Sequence, residues 1–140
     1  MSVVTTTHIN FRGQARSALA FYQSVFGGDL AAISYKDAGA VQNPAEADQI
    51  MRGQVASDAG FHVMAYDVPS AMDWSAGTIP YFVSVRGDDA DELTSYWEKL
   101  VTGGTIIQPL APAGWSPLYG MVRDQFGVTW VLDIAVSYAG

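Results

Sequence analysis

An internal repeat constrains the fold of this chain more than any other feature of its sequence. A set of residues in the first half returns in the same order in the second half: Phe11-Arg12-Gly13, Leu19, Tyr22 and Gly27-Gly28 correspond to Val85-Arg86-Gly87, Leu93, Tyr96 and Gly103-Gly104. The copies are 74 residues apart at the tyrosines and 76 apart at the glycine pairs. We therefore expect two copies of one structural module, the second with two extra residues in its helix or at the helix exit.

Each copy predicts one amphipathic helix. Apolar residues recur with helical period from Ala15 to Phe26, and Gly27-Gly28 then ends the helix. The second helix is expected over about 89–101, with Asp88 as its N-cap and Gly103-Gly104 after its end. The acidic run 88–92 opens that helix, where carboxylates interact favourably with the helix dipole, so we assign it a structural role.

Strands are expected around both helices. Alternation and turn residues place them at about 3–11, 29–36, 51–56 and 60–66 in the first module, and at 79–86, 104–110, 118–123 and 127–134 in the second. A loop at 37–47, with a short helix opening at Asn43-Pro44, and a linker at 67–78 complete the chain. The first part of the stretch 111–119 is read as a loop leading into the seventh strand.

Four of these strands alternate between an apolar face and a mixed face. The mixed face holds Thr6, His8, Asn10, His62, Met64, Tyr66, Phe82, Ser84, Arg86, Thr129, Val131 and Asp133. Such a face is typical of a sheet that lines a ligand cleft, and it is also what a sheet with one side in water would show. The apolar face, which includes Trp130, and the apolar stripe of the second helix, which includes Trp97, are expected to form the core.

Composition limits the function. The chain has 140 residues, which favours a single domain over 1–140 with modules at about 1–67 and 79–140. A net charge of -7 disfavours nucleic acid and anionic membranes as partners. The absence of Cys excludes disulfides and thiolate metal sites. Without a secretory signal or a membrane-spanning apolar run, the expected compartment is the cytoplasm.

Three segments carry a resemblance to a known family: His8-Ile9-Asn10-Phe11, the helix end from Phe21 to Gly28, and the run from Arg123 to Trp130 (RDQFGVTW). Together they resemble the PhnB-like branch of the vicinal oxygen chelate superfamily, which includes glyoxalases and bleomycin-resistance proteins. The resemblance implies an α+β fold of two βαβββ modules, whose curled mixed sheets form a U-shaped cleft, and a homodimer.

The resemblance also implies four metal-ligand positions, one on the first and one on the last strand of each module. They fall on His8, Met64, Phe82 and Val131. Only His8 can bind a hard divalent ion, since Phe and Val have no donor atom and a thioether prefers soft metals. We therefore expect no metal and no other cofactor, although an altered site made of His8, His62 and Asp133 stays open.

The candidate ligand-binding residues are His8, Asn10, His62, Met64, Phe82, Ser84, Trp115 and Val131. His8 is the candidate catalytic residue, because a cleft imidazole can exchange a proton near neutral pH, but a histidine held by a hydrogen bond would look the same. His62 is read as a partly exposed strand histidine. Trp115 and Tyr119 could stack on a flat ligand, or could belong to a dimer interface or the core. Arg12 and Arg86 are read as turn-forming residues.

Three functions follow as hypotheses. The first is a protein that binds a small organic molecule in the cleft without a metal, of the sequestering or resistance type. The second is an enzyme of lyase, isomerase or dioxygenase type that uses an altered metal site, or an acid-base catalyst that uses His8. The third is a dimeric scaffold without a ligand.

Overall fold

A computed structural model describes residues 3–135 of the chain. The elements follow one another as β1 (Thr7–Phe11), α1 (Ala15–Phe26), β2 (Asp29–Ser34), a 3-10 turn (Pro44–Glu46), β3 (Ile50–Ala56), β4 (His62–Asp67), β5 (Val83–Gly87), α2 (Ala90–Leu100), β6 (Thr105–Ala113), β7 (Ser116–Arg123) and β8 (Thr129–Ile134). The chain divides into two compact units between Ala76 and Gly77, inside the predicted linker. The repeat therefore corresponds to two structural units.

Each unit holds one four-stranded mixed sheet. The strand order is β1-β4-β3-β2 in the first unit and β5-β8-β7-β6 in the second. The pairs β1/β4 and β5/β8 are parallel, whereas the other neighbours are antiparallel. Both units thus have the same βαβββ order and pairing, and the predicted α+β modules are confirmed.

Each helix covers one face of its own sheet. A Cβ on Gly53 of β3 would contact the Leu19 side chain of α1, and a Cβ on Gly120 of β7 would lie 2.9 Å from the Trp97 ring of α2. The same faces carry the fully buried Val63, Ala65, Trp130 and Leu132. Burial of these apolar side chains is the main favourable contribution to folding, and the core roles of Trp97 and Trp130 are confirmed.

Both helices form where the apolar period predicts them, but the N-cap of α2 differs by one residue. Asp89, not Asp88, is the N-cap, and its carboxylate accepts hydrogen bonds from the backbone N–H groups of Asp91 (2.9 Å) and Glu92 (3.3 Å). The acidic run therefore has the structural role expected of it. None of the helices within residues 3–135 is long and apolar enough to cross a membrane.

The strand ends show three differences from expectation. β1 begins at Thr7, and Val3 and Val4 are exposed rather than paired. β5 begins at Val83, so Phe82 precedes the strand. The loop expected in the first part of 111–119 is instead the turn of a tight hairpin, in which Ala113 pairs with Ser116. Pro112 suggested a loop, but it lies on β6, an edge strand that tolerates a missing N–H group.

Candidate functional site

The sheet of the first unit has one face without a helix, and four strands place side chains on it. The strand register sets His8 beside Met64, Met64 beside Gln54, and Gln54 beside Ala31. The alternation of strand side chains then places the following residues on this first helix-free face: Thr6, His8, Asn10, Ala31, Ile33, Arg52, Gln54, His62, Met64 and Tyr66. The first four predicted ligand residues, His8, Asn10, His62 and Met64, are among them.

His8 lies exposed on this face, next to an aromatic ring. Its ring centroid is 5.3 Å from that of Tyr66, with the ring planes tilted by 30°. Partial burial lowers the pKa of the His8 imidazole below its usual 6.5, because desolvation disfavours the charged form. His8 is therefore mostly neutral at pH 7, with one ring nitrogen that can accept a proton.

His62 is held by its neighbours on the same face. Its Nε2 lies 3.0 Å from Gln54 Oε1, and its Nδ1 lies 3.4 Å from Thr6 Oγ1. Because Gln54 Oε1 can only accept, Nε2 donates in this contact. The two contacts hold the ring and match the interpretation of His62 as a strand histidine.

Asn10 and Arg12 border the segment that follows β4. The Trp74 indole donates to the Asn10 carbonyl over 3.3 Å, and the Arg12 guanidinium lies 5.8 Å from the Trp74 ring. Arg12 also donates to the carbonyls of Val68, Pro69 and Met72. The side chain of Arg12 therefore holds the start of the linker against the first unit, a contact that the sequence did not reveal, and its turn-forming role stays a prediction.

A shallow hollow across β2 and β3 was missed from the sequence. It offers about 280 Å³ of space, is widely open to solvent, and is lined by Ala31, Ala32, Ile33, Arg52, Gly53 and Gln54. Arg52 is exposed there, so the helix-free face includes a cationic group. The alternation of Arg52 and Gln54 with the buried Gly53 and Val55 is the signal that could have identified it.

The second unit presents an equivalent helix-free face. Ser84 pairs with Val131, Val131 with Met121, and Met121 with Gln108. Ser84 is exposed, whereas Val131 is only 8% exposed, and Phe82 before β5 is 48% exposed. The remaining predicted ligand residues thus differ in accessibility, and Val131 has little surface to offer a ligand.

The strand pairing adds Ser84 to the positions that the family implies. In β1/β4 the parallel partner of Met64 is His8, and in β5/β8 the parallel partner of Val131 is Ser84. The pairing thus sets Ser84 opposite Val131, whereas the 74-residue repeat aligns His8 with Phe82. A neutral hydroxyl is a weak ligand, and Met64 and Val131 bring no hard donor, so these residues do not fit the divalent metal that the family implies.

Arg86 has a partner that the sequence did not reveal. Its Nε and Nη2 donate to the two carboxylate oxygens of Asp133 over 3.2 and 3.0 Å. The two residues lie on neighbouring strands and form a two-point ion pair, while the turn-forming role of Arg86 stays a prediction. Within residues 3–135 no group of three or more His, Asp or Glu side chains is placed to hold a metal ion.

Trp115 lies at the tip of the β6–β7 hairpin. It is 60% exposed, and its ring meets that of Tyr119 edge to face at 5.3 Å. A core position for Trp115 is therefore wrong. Its exposed ring stays a candidate for ligand stacking or for an interface.

The motif RDQFGVTW is explained in large part by its turn. The buried Asp124 accepts hydrogen bonds from the backbone N–H groups of Phe126 (2.8 Å) and Val128 (3.1 Å) and from the Trp130 indole (2.8 Å). These bonds close the β7–β8 turn over the core. The Asp, Gly and Trp of the motif thus have structural roles.

Comparisons with known proteins agree with the fold. PA1353 of Pseudomonas aeruginosa is 29% identical with a TM-score of 0.82, over 95% of this chain and 98% of that chain. A PhnB protein of Bacillus cereus, described as a putative 3-demethylubiquinone-9 3-methyltransferase, is 24% identical with a TM-score of 0.74, over 94% and 98%. A glyoxalase-related enzyme of Fulvimarina pelagi is 18% identical with a TM-score of 0.62, over 95% and 89%. A comparison with curated proteins gave no match.

The sequence itself gives the family. The model of the glyoxalase/bleomycin resistance protein/dioxygenase superfamily matches residues 6–132, which is nearly all of the chain. The two βαβββ units and their parallel first and last strands agree with that match. The chain belongs to the glyoxalase/bleomycin resistance protein/dioxygenase superfamily.

Proposed function

We propose that this chain is a PhnB-like member of its superfamily that binds a small organic molecule without a metal. The observation that carries the proposal is the first helix-free face, where hydrogen-bonding groups and apolar side chains alternate in an accessible sheet. Ligand sites combine apolar surface with a few polar groups that fix orientation. The PhnB-like assignment rests on the three sequence segments, and the Bacillus cereus protein supports it through its fold.

The first face offers complementary contacts to one ligand. The neutral His8 imidazole and the Asn10 amide can each donate and accept a hydrogen bond. The Met64 thioether and the Tyr66 ring, both half-buried, offer polarisable apolar surface. This combination suits a compact molecule with an aromatic or unsaturated body and polar substituents. Phe82, Ser84, Trp115 and Val131 are proposed as ligand-binding residues of the second unit.

The proposal can be tested by nuclear magnetic resonance on isotope-labelled protein in the presence of EDTA. A chemically varied set of small molecules is titrated, and backbone and methyl shifts are mapped onto the sheet. We expect at least one compound to bind saturably and to shift Met64 and its neighbours. His8→Ala and Met64→Ala should each weaken that binding, whereas Glu98→Ala on the exposed side of α2 should not. A screen without saturable binding would instead favour the scaffold hypothesis.

A second candidate function is metal-free acid-base catalysis by His8. The lowered pKa leaves the imidazole free at neutral pH to take a proton from an acidic C–H bond of a bound molecule. In D2O a deuteron from solvent would then return to the carbon. We expect exchange of a ligand proton to be catalysed by the wild-type protein and abolished by His8→Ala. Exchange at an undiminished rate in that variant would exclude His8 as the base.

A further inference from the structure

Two buried polar atoms on the helix-free face of the second unit lack a partner in the described part of the chain. They are the Nε of Arg123, in β7, and the Oγ1 of Thr129, in β8, and neither has a hydrogen-bond partner among residues 3–135. Thr129 is only 3% exposed. Because buried donors and acceptors in folded proteins are almost always hydrogen-bonded, two orphans call for an explanation.

The two residues are direct neighbours across the sheet. Arg123 pairs with Thr129 between β7 and β8, and on its other side it pairs with Thr105 of β6. Residues paired directly in an antiparallel sheet point to the same face, with Cβ atoms roughly 5 Å apart. The side chain of Arg123 therefore leaves the sheet between the side chains of Thr105 and Thr129.

The charge of Arg123 is not balanced by a nearby carboxylate in the described part of the chain. Asp124 follows it directly but points to the opposite face, where three N–H groups bind its carboxylate. Asp133, on the same face as Arg123, is paired with Arg86. No hydrogen bond or ion pair of the Arg123 side chain is found within residues 3–135.

We propose that Arg123 and Thr129 form a binding site for a small organic carboxylate. The guanidinium Nε–H and the Thr129 hydroxyl would each donate to the carboxylate, which satisfies both orphan atoms with charge-assisted bonds. Met121 lies two residues before Arg123 on the same strand and the same face, and its half-buried side chain would contact the organic part of the ligand. This site goes beyond the binding proposed for the first unit and needs none of its residues.

The experiment uses benzoate as the probe, with benzamide as its neutral analogue. The Nε–H signal of Arg123 is followed by nuclear magnetic resonance while each compound is added to the full chain. We expect benzoate, and not benzamide, to shift this signal saturably. A signal unmoved by benzoate would overturn the proposal, while shifts at Met64 would still test the first unit separately.

Matched variants then test the two donors. Thr129→Val removes the hydroxyl at nearly constant shape and should weaken benzoate binding about tenfold, whereas Thr129→Ser keeps the hydroxyl and should bind nearly as the wild type does. Arg123→Lys keeps the charge but loses the planar fork, and should also weaken binding. Equal binding by wild type, Thr129→Val and Arg123→Lys would overturn the site. Inorganic phosphate bound as tightly as benzoate, and lost in the same variants, would overturn its assignment to carboxylates.

Discussion

Two buried aspartates organise the backbone at the residue scale, one in each unit. Asp67 accepts hydrogen bonds from the N–H groups of Gly13 (2.7 Å), Ala15 (3.0 Å) and Ile50 (2.9 Å). Gly13 and Ala15 lie on either side of Gln14, the N-cap residue of α1. The side chain of Gln14 makes no capping hydrogen bond. A residue at the end of β4 therefore caps the helix, as Asp124 closes the β7–β8 turn.

Removing the Asp67 carboxylate should destabilise the first unit strongly. Asp67→Ala loses three charge-assisted hydrogen bonds and leaves the buried N–H groups of Ala15 and Ile50 unpaired, which should cost at least about 3 kcal/mol of the free energy of unfolding. Urea unfolding followed by circular dichroism measures the loss, with the exposed turn variant Asp58→Ala as the control. Similar stability of the two variants would contradict this role.

His8 should make stability depend on pH in a known direction. The pKa of its imidazole is lowered in the folded chain, so the unfolded chain binds more protons as the pH falls through the range from 6.5 down to the folded value. The His8 contribution to stability is therefore complete above pH 6.5 and is lost below it. A magnetic resonance titration should place the His8 pKa below 6.5, and His8→Gln should flatten the stability profile. A pKa at or above 6.5 would contradict the desolvation argument.

The sequence predicts the role of a residue well where the alternation along its own strand decides on which face of the sheet its side chain lies. Period-2 alternation correctly placed His8 and Met64 on one face. It could not reveal the contacts of Asp67 or the Arg86–Asp133 pair, because the partners of these residues are distant along the chain. Such contacts depend on strand register, which no local pattern specifies completely.

The glycine pairs act at the element scale, where each helix passes into the next strand. Gly27 and Gly103 have φ values of 76° and 74°, which suits them to end the helices as expected. The second glycine of each pair serves a different need. A Cβ on Gly28 would collide with the Ala56 carbonyl oxygen, and one on Gly104 with the Arg123 carbonyl oxygen. The close approach of neighbouring strands thus explains why each pair has a second glycine.

Gly104→Ala should therefore destabilise the second unit. The added methyl group meets backbone atoms of β7 that cannot rotate away, so we expect a loss of about 2 kcal/mol, in the range of an overpacked core. Gly114→Ala, at the hairpin tip where a Cβ meets nothing within 4 Å, is the matched control and should change stability by less than about 0.5 kcal/mol. Thermal unfolding of both variants checks the difference, and equal losses would contradict the close-approach argument.

Helices and strands were predicted best where apolar residues recur with a clear helical or strand period. Both helices and all eight strands were expected. The predicted lengths of β6 and β7 were too short, because proline and glycine usually mark loops. Register shifts along β6 accommodate its irregular course at the sheet edge. Edge position, which depends on the whole sheet, is not visible in a local segment.

At the scale of the whole molecule, the repeat corresponds to two similar units. We propose that the chain forms a homodimer, as its family resemblance implies. The exposed Ile106 and Ile107 on the edge strand β6 supply apolar surface for association. Light scattering should give twice the 15.0 kDa chain mass, and Ile106→Lys should shift it towards the monomer. A monomer at all concentrations would contradict this proposal.

The most direct test of metal-free binding measures metal content and ligand occupancy in one sample. The protein is exposed to zinc, nickel, manganese, iron and cobalt, saturated with the best ligand from the screen, freed of excess metal and analysed by plasma mass spectrometry. We predict full ligand occupancy with metal far below one ion per chain. About one metal ion per chain, with ligand binding lost when EDTA removes it, would contradict the account.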